Sequence, residues 1–198
     1  MKFFKWKMFL LTAFVCLLPV VFGVLMWDKL PDSMAIHFDI NGVADNFASK
    51  GFVVFGIPLL MMLFQAISCF AIDYKGDGNK SEITAKWILP CVTVVLYALT
   101  ICYSLGFDVD MRVACAIVVG VILIVTGALI QKLDRINNHK IDAETAKKNN
   151  KFSGIGAVIS GILFIISAFL PPLFTLISVL FVILYSVTTI VYTIMKGK

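Results

Sequence analysis

The sequence predicts an all-α integral membrane protein of six transmembrane helices with an extracellular β-hairpin-like loop, and three observations carry that prediction. Of the 198 residues 60% are hydrophobic and only 15% are charged, with a mean hydropathy of +0.97. A soluble fold of this length could not hide so much apolar surface from water, whereas lipid makes hiding it unnecessary. Six uncharged runs reach the length of roughly 20 residues that a helix needs to cross a hydrocarbon core about 30 Å thick. Between the first two runs lies a polar island, "LPDSMAIHFDINGVADNFASK", patterned as paired strands.

The runs cover residues 8–27, 51–72, 87–107, 113–130, 152–170 and 173–195. The first, behind "MKFFKWK", also has the form of a signal peptide. Its apolar part is 20 residues long, however, and the flank "LMWDKLPD" has no small-x-small cleavage site, so it is expected to stay as a helix. "AFVC" likewise lacks the pattern that precedes a lipidated cysteine. The last two runs are parted only by Pro171 and Pro172, and one helix through both would measure about 65 Å. They must fold back, with proline at the corner, where it disfavours helix in the residue before it and is tolerated in the first turn after it. The coarse division is an N-terminal helical pair with its outer loop, 1–72, and a four-helix region, 73–198.

In the loop at 28–50, Met34, Ile36, Phe38 and Ile40 alternate with Ala35, His37 and Asp39, the period of a half-buried strand. Asn41-Gly42 predicts a type I′ turn, with "VADNF" as the return strand. In that register Ile40 opposes Val43, Phe38 opposes Asp45, and His37 opposes Asn46. Asp45 then lies on the apolar face, away from His37 and Asp39, which leaves two ligands two residues apart and no metal site. His37 is read as hydrogen-bonded within its loop; the alternative is a pH sensor, since it titrates near neutrality. A two-stranded hairpin is marginal by itself. Its Met34, Ile36, Phe38 face is therefore expected on the bundle mouth or the lipid interface, anchored by Trp27, making the loop a lid or a presenting surface.

Lys and Arg stay on the cytoplasmic side. With the N-terminus inside, the segments 1–7, 73–86, 131–151 and the tail hold 14 of the 17 basic residues, leaving Lys29, Lys50 and Arg112 outside. The inside nets +8 (14 basic, 6 acidic) and the outside −3 (3 basic, 6 acidic). The expected product is a multi-pass plasma-membrane protein with both termini cytoplasmic. Its basic balance reflects orientation and contact with anionic headgroups, not nucleic acid.

Of the cytoplasmic segments, "DAETAKKNNKFSG" reads as a short helix. Asp142 can cap it, Glu144 sits in the first turn, and Lys148 follows at i+4. It serves either as a juxtamembrane helix on anionic lipid or as a docking surface for a cytoplasmic partner, with Lys140, Lys147, Lys148 and Lys151 as the contacts. In the fifth run Ser153, Ala157 and Gly161 recur every four residues beside Gly156 and Ser160, a pattern for close helix packing within the protein or between copies.

The six runs contain no Asp, Glu, Lys, Arg or His, and Gln65 is their most polar residue. Intramembrane ionisable groups mark pumps and membrane proteases, and HExxH, GxSxG and P-loop motifs are absent, so no enzyme activity and no cofactor is expected. The five cysteines, at 16, 69, 91, 102 and 115, all fall within the runs and read as small apolar packing residues.

The outer stretch also carries a resemblance. Leu30, Pro31, Ile36, His37, Phe38, Gly42, Asp45, Ser49, Lys50 and, in the following run, Pro58 stand at positions similar to the outer loop of SdpI-type immunity proteins, small bacterial membrane proteins. The likeness is detailed over about the first 65 residues, and the six-span, termini-inside plan agrees along the whole chain. The family's cytoplasmic "TPW" core has no counterpart here; "IDAETAKKNNKFSGIG" resembles only the later part of that motif. The resemblance implies protection of the cell's own membrane from a peptide toxin. It also implies, in some members, sequestration of a cytoplasmic repressor. Pro31, His37, Phe38, Gly42, Asp45 and Lys50 would form the outer recognition surface. Two other classes stay open: a small-solute or lipid transporter using Gln65, Thr93, Thr100 and Thr126, and an accessory subunit of a larger membrane complex.

Overall fold

The computed structural model describes residues 4–75, 80–132 and 143–196. Its elements run α1 (Trp6–Leu25), a single 3-10 turn (Trp27–Lys29), β1 (Ser33–Phe38), β2 (Ala44–Ser49), a π-helical turn (Phe52–Gly56), α2 (Ile57–Lys75), α3 (Lys80–Ser104), α4 (Met111–Gln131), α5 (Ala143–Ala168) and α6 (Pro172–Lys196). All six helices are long and apolar enough to cross a membrane. This is a multi-pass membrane protein.

The chain divides into two compact units, Met1–Arg112 and Val113–Lys198. In the first, α1, α2 and α3 pack on one another, and the hairpin β1–β2 sits at the end where α1 stops and α2 begins. A small apolar core there joins Leu30, Met34, Val53, Val54, Tyr97 and Ile101. The π-helical turn has a local cause: Pro58 has no N–H to give, and its ring would crowd the carbonyl one turn back. Widening the preceding turn accommodates it while the ring stays buried. Gly23 on α1 brings that helix close, since a Cβ there would collide with the Tyr97 hydroxyl and stand 2.9 Å from Val54 Cγ1.

In the second unit α5 and α6 form the expected fold-back, with α6 starting on Pro172. The small residues of α5 are used internally. A Cβ on Gly161 would lie 2.5 Å from the Gly120 carbonyl oxygen of α4, and one on Gly127 would lie 2.5 Å from that of Gly154, so α4 and α5 meet backbone to backbone. Gly156 instead faces the Tyr185 ring of α6, whose hydroxyl donates to the Phe152 carbonyl.

Two boundaries differ from the sequence reading. The stretch 73–86, expected as a cytoplasmic loop, is helical over 73–75 and 80–86, because α2 and α3 run on past their apolar runs. The short cytoplasmic helix is not separate from the fifth span either: α5 is continuous from Ala143, as nothing between Lys151 and Ser153 breaks the helical hydrogen bonding. Within it Glu144 pairs with Lys148 at 2.7 Å, as the i, i+4 spacing predicts. Asp142, the expected cap, lies outside the described residues.

Candidate functional site

The hairpin exists, but its turn is of another kind. Within the turn only Gly42 has a positive φ, +82°, and among the described residues no non-glycine does, so Asn41-Gly42 is not a type I′ turn. The Asp39 carbonyl accepts from Gly42 N at 2.9 Å and Asp39 N donates to the Val43 carbonyl at 2.8 Å, enclosing a three-residue loop that ends on a left-handed glycine. Asp39 decides the form. Its carboxylate accepts the backbone N–H groups of Val43 (2.8 Å) and Asn41 (2.9 Å) and the Asn41 side-chain amide (3.2 Å). The Val43 amide foremost, with help from Asn41, holds the Asp39 carboxyl below its ordinary range.

The strand register differs accordingly. His37 opposes Asn46 as expected, but Phe38 opposes Ala44 rather than Asp45, and Met34 and Ala35 oppose Ala48 and Phe47. Ile36 and Asp45 are the extra residues at two bulges that the alternation pattern could not reveal. The bulges overturn the facial assignment. Ile36 is 40% exposed instead of packed with Met34, and Asp45 comes to His37, whose Nδ1–H donates to Asp45 Oδ1 at 2.6 Å. Both side chains stay well exposed, and among the described residues no cluster of three potential metal ligands occurs.

What fixes the hairpin to the bundle is partly legible in the sequence and partly not. Met34 is buried in the core as its position on the apolar face predicts, and the Phe38 ring meets the Tyr103 ring of α3 edge-on at 4.9 Å. Lys50 closes the base. Its ammonium donates to the carbonyls of Leu30 (3.2 Å) and Trp27 (3.4 Å), lies 5.0 Å from the Trp27 ring centroid and pairs with Asp32 at 3.2 Å. Its own amide donates to the Asp32 carbonyl at 2.9 Å. Gly42 lets the tip approach the start of α4, because a Cβ there would stand 3.2 Å from Cβ of Arg112 and 3.6 Å from the Asp110 carboxylate. Of the six outer residues named from the sequence, Phe38, Gly42 and Lys50 hold the hairpin in place. Pro31, His37 and Asp45 are exposed on it.

At the opposite end of the first unit lies a buried polar cluster that the apolar runs concealed. Lys86 of α3 donates to Asp73 Oδ1 of α2 at 2.7 Å, with both side chains almost fully enclosed, and the Lys5 amide donates to Asp73 Oδ2 at 3.0 Å. Deeper in, the Gln65 side-chain amide donates to Thr12 Oγ1 of α1 and to the Lys86 carbonyl of α3, each at 2.9 Å, with Cys69 Sγ at 3.2 Å. One residue thereby ties three helices. The statement that the six apolar runs lack ionisable residues holds for the runs, but the helices that carry them include this ion pair. A signal was present: Gln65, Cys69 and Asp73 recur every four residues and so share a helix face. Trp6 and Tyr74 are exposed at this same end. Twenty-one residues of helical rise separate Trp6 from Trp27, about 32 Å against a hydrocarbon core of about 30 Å. Aromatic residues at that spacing match the two membrane interfaces, which places the ion pair at interfacial depth.

Thr93 and Thr100, considered above as path-lining groups, turn their hydroxyls onto their own helix, to the Leu89 and Leu96 carbonyls. Lys147, Lys148 and Lys151 lie exposed on one face of α5, while Lys140 falls outside the described residues.

A family model described as a domain of unknown function, DUF1648, matches residues 14–62, which span most of α1, the hairpin, the π-helical turn and the start of α2. The chain is 24% identical over 170 residues to "Immunity protein SdpI" of Bacillus subtilis (strain 168), covering 81% of each chain. Both support the likeness to SdpI-type proteins first seen in the hairpin stretch. No solved structure matches the chain.

Proposed function

We propose that this membrane protein is an immunity factor that protects the cell carrying it from a peptide toxin, with the hairpin outside as the recognition surface. The carrying observation is the likeness to an immunity protein over 81% of both chains, and the hairpin lies within the residues that the family model matches. The geometry supports a reader more than a catalyst. A well-anchored hairpin presents His37, Asp45, Pro31 and several apolar side chains to solvent, and the sequence has none of the hydrolase or P-loop motifs sought. In this reading the role is binding without turnover, with both termini cytoplasmic by the distribution of Lys and Arg. On the cytoplasmic side, Lys147, Lys148 and Lys151 of α5 form the surface on which a repressor or other protein, or anionic lipid, would dock.

The test is survival. Cells lacking the protein are challenged with secreted peptide toxins of related strains, with and without expression of the wild-type chain or of His37→Ala and Asp45→Ala. Protection by wild type that weakens in the two variants is expected. Equal survival of all strains across a broad panel refutes the reading.

A transport reading gains one observation, the Asp73–Lys86 pair within the helix bundle. A pH- or sodium-dependent flux through purified protein in liposomes that disappears in Lys86→Met would favour it over immunity.

A further inference from the structure

The hairpin sheet has two strands, and its two outer edges are not alike. β1 packs against α3, whereas Asp45, Asn46 and Phe47 of β2 are all exposed. Because Lys50 N bonds the Asp32 carbonyl across the strands, alternation of the ladder turns the main-chain groups of Ser49 and Phe47 away from β1. Among the described residues the outward Phe47 N–H is held only by the side chain next to it, Asn46 Oδ1 at 2.9 Å. Such an unpaired edge is a template for another strand, and natural proteins normally blunt it. This one carries no proline and no lysine between Ala44 and Ser49, and although the bulge and charge of Asp45 interrupt it, the stretch from Phe47 to Ser49 keeps regular pairing geometry. Around it Ile36, Ile40, Val43 and Phe47 are exposed by 40% to 61%, an apolar group next to an edge that pairs with no further strand among the described residues. The segments at this end of the unit, 28–50 and 105–112, carry six Asp against Lys29, Lys50 and Arg112.

We propose that the free edge of β2 accepts an extended, cationic and apolar peptide segment as a third strand of the hairpin sheet. The main chain supplies the affinity, Phe47 receives an apolar side chain, and the surplus of aspartates selects positive charge. Asn46 acts as the placeholder that occupies the Phe47 N–H until the peptide takes it. The proposal rests on the hairpin being a peptide-recognition surface and adds how it reads one.

The experiment uses the full chain in phosphatidylcholine nanodiscs and, as probe, a fluorescent ten-residue peptide of alternating lysine and valine, beside the same peptide N-methylated at every second amide. Binding to protein-bearing discs is expected, with about tenfold loss on N-methylation and about tenfold loss in Phe47→Pro relative to Phe47→Ala, since each removes main-chain pairing. Asn46→Ala is expected to bind more tightly than wild type, a gain that damage to the fold would not produce. Equal binding to empty discs means adsorption to lipid and overturns the proposal. So do equal affinity for the methylated peptide and no binding at all. In the survival assay, protection lost in His37→Ala but kept in Phe47→Pro overturns strand addition while leaving the immunity reading intact, and protection indifferent to every hairpin variant overturns both.

Discussion

Severing the Asp73–Lys86 pair tests whether the first unit is built around it. The two side chains are 2% and 6% exposed and 2.7 Å apart, and at an effective dielectric of about 20 their attraction is about 6 kcal/mol. Desolvation offsets most of that, so the pair contributes little net stability, but losing one partner leaves the other charge stranded at a cost of about 3–5 kcal/mol. Lys86→Met strands Asp73 with only the Lys5 amide, and Asp73→Leu strands the Lys86 ammonium. The double variant strands neither, and beyond packing it loses only the Lys5 hydrogen bond, about 1 kcal/mol. SDS titration of the protein in mild micelles, followed by tryptophan fluorescence and helical circular dichroism, gives the three free energies. Each single variant should be less stable than the double by about 2–4 kcal/mol, so the two single effects together exceed the double by well over the additivity limit. Single effects that add to within about 0.5 kcal/mol would show that the two groups are independently solvated and refute the placement of a buried pair.

Lys50→Met should cost about 1–2 kcal/mol and expose the hairpin to protease, because the ammonium satisfies two carbonyls and lies over Trp27. Asp32→Asn should leave the melting temperature unchanged, since that carboxylate is fully exposed. The depressed Asp39 carboxyl fixes a pH window. Its contribution to the turn is fully present above the ordinary Asp value of about 4 and is lost as pH falls below it, through the lower folded value. The protection factor of the Val43 amide, its exchange rate taken relative to the intrinsic rate at each pH, should fall on acidification in the wild type and be low at every pH in Asp39→Ala. Gly161→Ala should destabilise the α4–α5 contact by about 1–3 kcal/mol, while Gly51→Ala, which meets nothing within 4 Å, should be tolerated, as melting in detergent will report.

The helix count, the fold-back at Pro171–Pro172, the existence of the hairpin and the close packing of α5 through its small residues were all legible in the chain, because each follows from a local pattern. Run length against bilayer thickness decides a span, and proline decides a corner. The hairpin's details were not. A perfect alternation from Met34 to Ile40 implied one register, yet Asp39 accepts two backbone amides of its own loop, which favours a three-residue turn over type I′. The strands then absorb the difference as bulges at Ile36 and Asp45. His37 and Asp45 meet as a result, although counting by twos had set them on opposite faces. Helix ends were hidden for a related reason. Hydropathy scores residues singly, whereas Asp73 and Lys86 can remain inside helices only because each is the other's partner, a fact that exists once α2 and α3 are side by side. The sequence by itself determined that this protein lives in a membrane and where its chain turns, since lipid tests each segment separately. Which polar groups face one another was decided only by the tertiary structure, since the free energy of a buried charge or a strand edge belongs to the pair and not to either residue.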